Sequence, residues 1–522
     1  MTPLAEEVDR LQRTGAFDEA IACARQAARE TGPADAIITL ATLLRRRGHT
    51  TEAVAVLRAA LDHAPHSVDL WNHAALALRN NGEFPAALDA FRRAADVDPG
   101  NTWVETNMMF GLARAGDCDT TALFDASVRG GLGIFCDRYP FLYGFLHKEY
   151  ASYLRHFQDA DLFTFGRDVF APYDPSQFGR HVDLVARRYP DILDRVHQII
   201  PSLDTPGAPG AATGVSCRLA QGERRPVPRH GYCFFLMTVD LFRPLFEAWN
   251  IPFTFTLEPG GGFILNDAGS DAKLRAVLAS PQFRSVIVQQ PVVRDYLRDV
   301  MGLGEDRMAF IPGVMPDLAP FQAAAALPPA PPRNTVDIAF VGSLYAPGGR
   351  DKGFDLFVDA AKALADWHPA ARFHVVGNFP EALADGAPIT FHGRQTQTWL
   401  ADFYRGIDIL VAPNRPWQIT HGSLDAFPVN TCVEAAAAGV AVAASDPLNN
   451  NVLLPKDAWI DITGASGARI AEALLPLLRE PAALASAKHR CQAAFTTAFG
   501  DAQQAQPRLR HMEAMMSVGR TP

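Results

Sequence analysis

Lys352, Asp425 and Glu434 are the side chains whose type and setting could do chemistry in this sequence. Lys352 lies near the end of a loop that opens at Gly342 and Ser343, passes Arg350 and closes at Gly353, just before an apolar-periodic helix starting at Phe354. A helix N-terminus offers unpaired amides and a positive dipole, so a loop of this kind carrying two cations suits a phosphate. If a phosphate leaves as an anion there, a preorganised donor is worth ~10²–10³ in rate. Asp425 and Glu434 belong to LDAFPVNTCVEAAAAGVAVAASD, residues 424–446, with Phe427, Pro428, Asn430 and Thr431 between the two acids. Glu434 has two readings. It accepts hydrogen bonds from ribose hydroxyls, or it completes a capping box in which the Thr431 side chain caps the Glu434 amide and the carboxylate returns to the Thr431 amide. Asp425 either touches a transferred group or its leaving oxygen, or is a solvated loop aspartate.

The elements that must hold these residues follow from apolar patterning. Val336 to Val341 reads as a short strand, and Phe354, Phe357, Val358, Ala361 and Leu364 mark the helix after the loop. Strands recur at 372–376, 389–391, 407–411, 440–444 and 459–460, separated by helix-length segments. Such alternation implies a parallel sheet covered on both faces. Ligands of such sheets bind at the carboxyl ends of the strands, which gathers Asn378, Arg394, Asn414 and Arg415 near the loop. Upstream, a strand at 233–238, a helix at 241–249 and a strand at 252–257 form a crossover unit ending at Glu258, Gly260, Gly261 and Gly262. These glycines either turn amides toward a phosphate or sugar or make a plain tight turn. A strand at 285–289, a helix at 292–300 and a strand at 308–311 follow. Residues 131–201 read as aromatic-rich and mostly helical, 204–214 as a surface loop, and LPPAPPRN at 327–334 as a linker. Asp159 and Asp161 have the spacing of a metal pair but fall in the stretch read as helical, and no metal or other cofactor is expected.

The 424–446 element resembles the donor-binding motif of family 4 retaining glycosyltransferases. In that motif an acidic residue and Gly-Phe-Gly/Pro precede a helix that opens with Glu-Ala and closes with Gly before a strand. Asp425, Phe427, Pro428, Glu434, Ala435 and Gly439 occupy those places. The likeness covers about 336–470, and more loosely extends back to about 231. It implies a GT-B pair of Rossmann-like α/β domains, a nucleotide-sugar donor, retention of configuration, and Lys352 with Arg394 at the diphosphate. The sequence departs from the pattern in four places. Glu434 stands nine positions after Asp425 where eight are usual, Ala426 stands where Gly is usual, Ser343 replaces an arginine, and Glu258 ends a strand that often ends in histidine.

The front of the chain repeats. Gly48 and Gly82, Ala53 and Ala87, Leu57 and Phe91, Ala60 and Ala94, and Pro65 and Pro99 are each 34 residues apart, and Gly15 and Ala20 precede Gly48 and Ala53 by 33. Small alanines, a turn glycine and a terminating proline describe stacked pairs of helices. With Trp71, Ala75 and Leu78, the segment resembles tetratricopeptide repeats, and residues 103–128 read as a divergent fourth unit. Such arrays imply a protein or peptide partner, here an acceptor, with a flagellin-like surface protein as one candidate. A glycan or lipid-linked acceptor is the alternative. A catalytically degenerate scaffold and a nucleotide-sugar epimerase are the rival classes.

The whole-chain figures agree with this layout. The 522 residues allow several domains, and a net charge of -9 disfavours a nucleic-acid partner. Seven scattered cysteines without a Cys-x-x-Cys pair fit a reducing compartment. The acidic first residues predict no export signal, and no apolar run is long enough for a membrane span. A cytoplasmic protein is expected. The expected architecture is multidomain: repeats over 1–130, an acceptor-side domain over 131–326, a donor domain over 327–500 and a C-terminal helix or tail over 501–522.

Overall fold

The computed structural model describes residues 3–31, 34–99, 101, 104, 107, 119–137, 139, 144–165, 189–203, 215–328 and 333–517. The loop read at 204–214, most of the fourth repeat, part of the linker and the last five residues lie outside the described residues.

Six helices open the chain: α1 (Pro3–Thr14), α2 (Phe17–Thr31), α3 (Ala34–Arg46), α4 (Thr50–His63), α5 (Val68–Asn80) and α6 (Phe84–Val97). Each packs on the next in sequence. The repeat glycines Gly15, Gly48 and Gly82 have φ of 80°, 80° and 82°, a left-handed turn within each helix pair. At Gly48 and Gly82 an added side chain would meet nothing within 4 Å, so backbone conformation rather than space selects glycine there. Ala53, Leu57, Ala87 and Phe91 form the buried seam.

The first α/β lobe starts earlier than the sequence suggests. β1 (Asp119–Ala122) and β2 (Phe124–Arg129) fall inside the stretch read as a fourth repeat, before the expected boundary at 130. The described residues among 131–201 are also not mostly helical. They contain β3 (Leu132–Cys136), β4 (Asp161–Thr164) and β5 (Val196–Leu203), with one helix, α7 (Gly144–His156), between β3 and β4. Every residue of β3 and β4 is buried. A strand covered on both faces shows no polar alternation and cannot be told from a buried helix by periodicity. The lobe continues with β6 (Val215–Leu219), β7 (Arg225–Val227), β8 (His230–Phe234), α8 (Leu236–Ala248), β9 (Phe253–Leu257), α9 (Ala268–Leu278), β10 (Phe283–Val288), α10 (Pro291–Asp299) and β11 (Met308–Phe310). The strand expected at 233–238 stops at Phe234, because Phe235 turns the chain at φ 78° into α8 while the apolar run continues.

Nine strands form the main sheet in the order β1-β6-β5-β4-β3-β8-β9-β10-β11, with β2 and β7 paired separately. From β5 to β11 every neighbouring pair is parallel, and β5 with β6 is antiparallel. Asp161 is spent inside this lobe, 2.9 Å from His197 and 3.0 Å from Arg225.

After α11 (Ala319–Ala326), the second lobe runs β12 (Val336–Val341), α12 (Phe354–Trp367), β13 (Ala371–Val376), β14 (Ile389–Phe391), α13 (Gln397–Tyr404), β15 (Ile409–Ala412), α14 (Asn430–Ala437), β16 (Ala441–Ala444) and β17 (Ile460–Asp461). Its six strands lie in the order β14-β13-β12-β15-β16-β17 and all pairs are parallel. This is a doubly wound sheet whose direction of strand addition reverses between β12 and β15, the position where such sheets bind ligands. Helices α15 (Gly467–Arg479), α16 (Pro481–Ala498) and α17 (Asp501–Ser517) close the chain. α17 returns to the first lobe: Leu509 and Met512 enter its core, and His511 lies 2.9 Å from Ser285. Buried Arg508 donates to the Gly313 carbonyl and faces the equally buried Glu149 at 3.7 Å.

Candidate active site

The reversal between β12 and β15 positions the predicted chemistry. The loop leaving β12 and the loop leaving β15 meet there, and Gly353 approaches Pro413 so closely that a side chain at 353 would collide with the Pro413 carbonyl. Gly353, at φ 69°, is also the residue before α12, and no side chain caps that helix. Lys352 reaches from the first loop to Asp425 in the second, with Nζ 2.7 and 2.6 Å from the two carboxylate oxygens. Asn414 Nδ2 donates to Asp425 Oδ2 at 2.7 Å. The ammonium lies over the exposed Tyr345 ring, 5.4 Å from its centroid. Lysine, carboxylate and amide thus form one constellation at the sheet's crevice.

The rest of the predicted donor set divides. Asn378 accepts from the Leu344 amide at 2.8 Å, which fixes the loop after Gly342 and Ser343. Arg394 is exposed beyond β14. Arg350 is not turned to this crevice: its guanidinium donates to Asp9 of the repeat array at 2.7 Å. Arg415 is likewise occupied, with bonds of 2.6 and 2.7 Å to Asp355 and one of 3.1 Å to the Arg350 carbonyl. Phe427 and Pro428 are buried, joined by a cis peptide bond, and Phe427 packs on Trp459.

The capping box does not form. α14 begins at Asn430 after Val429, no side chain caps it, and Thr431 is already inside the helix with its buried hydroxyl unbonded. The carboxylate of Glu434, only 4% exposed, instead accepts from Gln397 at 2.9 Å and from Asn430 at 2.7 Å. α13 and α14 therefore clasp it between them.

Across the cleft, Glu258 stands at the carboxyl end of β9, buried, and among the described residues its Oε2 has no hydrogen-bond partner. Burial pushes its carboxyl up to about 8; Arg508 opposes the rise, and the charges of Glu149 and Asp425 add to it. Gly260, Gly261 and Gly262 all have positive φ and make a tight turn, in which the Gly261 carbonyl accepts from the Met237 amide of α8. That turn is the packing alternative.

Two residues the sequence reading did not single out complete this edge. Leu257 and Val288 are register partners, so the next residues, Glu258 and Gln289, end adjacent strands. Gln289 is 1% exposed, and among the described residues neither of its side-chain polar atoms has a hydrogen-bond partner. Gln290 crosses to the second lobe, accepting from the Phe427 amide at 3.3 Å and donating to its carbonyl at 3.4 Å. The Gln-Gln pair directly after an apolar strand was the available signal. Among the described residues no group of three or more His, Cys, Asp or Glu is placed to hold a metal ion, and no helix is long and apolar enough to cross a membrane.

Helical repeats stand in front of two Rossmann-like lobes, the architecture of a repeat-bearing GT-B protein. Comparison with known proteins gives the same assignment: residues 335–480 match the family model for glycosyl transferases group 1, and residues 38–102 match that for tetratricopeptide repeats. No curated protein matches the sequence. Among solved structures, Anabaena HepE in complex with UDP-glucose is 14% identical with a TM-score of 0.50, covering 74% of this chain and all of its own. Sucrose-phosphate synthase from Thermosynechococcus elongatus is 15% identical with a TM-score of 0.48, covering 75% of this chain and all of its own. An O-GlcNAc transferase mutant from Thermobaculum terrenum is 12% identical with a TM-score of 0.42, covering 98% of this chain and 96% of its own.

Proposed function

We propose that this glycosyltransferase holds a nucleoside-diphosphate sugar at the crevice between β12 and β15 and transfers the sugar, with retention of configuration, to a polypeptide recruited by the repeats. The observation that carries the reading is the Lys352–Asp425–Asn414 constellation at the topological switch point. Bond cleavage places negative charge on the departing diphosphate, and Lys352 with the uncapped amides of α12 is a preorganised counter-charge for it. Asp425 then keeps the ammonium on station instead of touching the sugar. Glu434, held by Gln397 and Asn430, is the candidate for the ribose hydroxyls. Glu258 and Gln289 are the acceptor-side candidates, since both are buried with unbonded polar atoms that a hydroxyl-rich substrate would satisfy. The reaction takes place in the cytoplasm, with no cofactor beyond the nucleotide sugar.

The test has two stages. A thermal-shift screen of nucleotide sugars on the purified chain, beginning with UDP-glucose, identifies the donor, and nucleotide release is then compared for wild type and Lys352→Ala. The variant is expected to retain its fold and lose about 10²–10³ in rate. Wild-type turnover in Lys352→Ala would remove this lysine from the diphosphate. For the acceptor, labelled sugar is supplied with a cell lysate. Label in a polypeptide fraction supports the reading, a flagellin-like protein being the first to examine, and label confined to glycan or lipid argues for the other acceptor class.

A further inference from the structure

The repeat array touches the second lobe next to the candidate donor site. Asp9 on α1, with a side chain 16% exposed, binds Arg350 at 2.7 Å and has Arg13 of its own helix 3.3 Å away. Arg350 lies two residues before Lys352, and its carbonyl is held by Arg415. Three residues further along α1, the Gln12 carbonyl accepts from the His421 amide at 3.0 Å. The turn after α1 lies flush against the same loop, since a side chain on Gly15 would sit 3.2 Å from the His421 ring. His421 is part of a self-bonded knot. The Trp417 amide donates to the Ser423 carbonyl at 2.7 Å, and Thr420 and Ser423 are bonded to each other. The knot leads directly to Asp425, and on its far side the Gly422 carbonyl accepts from Leu265 of the first lobe at 3.1 Å. The two loops that supply Lys352 and Asp425 are thus both anchored to one helix more than 300 residues away in sequence.

We infer that α1 of the repeat array is a working part of the donor site: Asp9, through Arg350, and the Gln12 carbonyl, through His421, set the two loops whose meeting brings Lys352 to Asp425. Asp9 is a positioning residue. The inference rests on the donor-site reading above and adds a second task to the array, which otherwise serves only to recruit. The physical requirement is simple. Both loops are long and leave strand ends, and a cation misplaced by about 1 Å can lose ~10² in rate. A helix packed in a stacked array is stiffer than either loop alone. Arg350, two residues from the functional lysine, has its guanidinium committed to that helix.

The experiment measures binding of nucleoside diphosphates to the full chain by calorimetry, using whichever of UDP, GDP, ADP, CDP and dTDP binds wild type most tightly. The variants are Asp9→Asn, Asp9→Arg, Arg350→Asp and the double charge swap Asp9→Arg/Arg350→Asp, with donor KM and kcat measured alongside. Asp9→Asn is expected to weaken binding by about fivefold and each charge reversal by about tenfold or more, in line with loss of a partly buried ion pair. The double swap is expected to return to within about threefold of wild type, a recovery that a merely destabilised fold does not give. Wild-type affinity in Asp9→Asn and Asp9→Arg overturns the inference. So does a double swap as weak as Arg350→Asp alone, because Arg350 would then act on the ligand directly. Should Asp9→Arg not fold, Asp9→Asn decides alone. Lys352→Ala in the same titration separates the two failures. If it also binds like wild type, the donor-site reading falls and takes the inference with it; if it loses binding while the Asp9 variants do not, the inference alone falls.

Discussion

Replacing Glu258 with glutamine removes a proton that the folded chain holds and the unfolded chain releases. An ordinary glutamate titrates at 4.5, and burial with the nearby charges of Glu149 and Asp425 lifts this one to about 8. Between those limits the native state binds one proton more than the unfolded state, so stability falls as pH rises, by about 1.36 kcal/mol per pH unit. The contribution is fully present below about 4.5, declines from there, and is gone above about 8. Over the interval of about 3.5 pH units it amounts to about 5 kcal/mol. Glutamine has nearly the same shape and no proton to lose, so Glu258→Gln should lack this slope. The assay is chemical denaturation of both proteins from pH 5 to pH 9, followed by a probe in the first lobe. Wild type should lose stability relative to the variant as pH rises, with the gap widest near pH 8 and above. Parallel profiles would falsify the assignment of a neutral, buried carboxyl at the end of β9. A group titrating near 8 is also suited to proton transfer near neutral pH, so the rate profile of wild type should carry an inflection there that the variant lacks.

Three further outcomes test the remaining geometry. Gly353→Ala requires a side chain at φ 69° against the Pro413 carbonyl, so it should destabilise the second lobe by roughly 1–3 kcal/mol and abolish diphosphate binding, checked by thermal melting and calorimetry. Glu434→Gln weakens the carboxylate clasped by Gln397 and Asn430, and nucleotide affinity should fall about tenfold, the order of one charge-assisted hydrogen bond; unchanged affinity would withdraw Glu434 from the site. Arg508→Met leaves Glu149 buried without its counter-charge and frees the Gly313 carbonyl, so urea unfolding of the first lobe should show a loss of about 3–5 kcal/mol.

The second lobe was legible in the sequence because its strands are short, apolar and punctuated by glycine and polar loops. Val336–Val341 and Ile389–Phe391 coincide with their observed bounds, and most other strands of that lobe lie within two residues of theirs. The first lobe was less legible for the opposite reason. β3 and β4 are buried on both faces, and the run through Phe234 and Phe235 hides a turn inside an unbroken apolar stretch.

The repeat period, the 424–446 motif and the positions of Lys352, Asp425 and Glu434 within it and the glycine loop are local facts, set by spacing and residue type, and the sequence by itself determined them. It also left a capping box at Thr431 and Glu434 open as one of two readings, because a three-residue spacing is all that motif needs; the start of α14 at Asn430 removed that alternative. Only the tertiary structure decided which charges meet. Lys352 and Asp425 are 73 residues apart and Arg350 and Asp9 are 341 apart. No periodicity encodes such pairs, because each is fixed by how loops at strand ends and helices of separate domains pack. Lys352 therefore faces the crevice while Arg350, two residues earlier, faces the repeats.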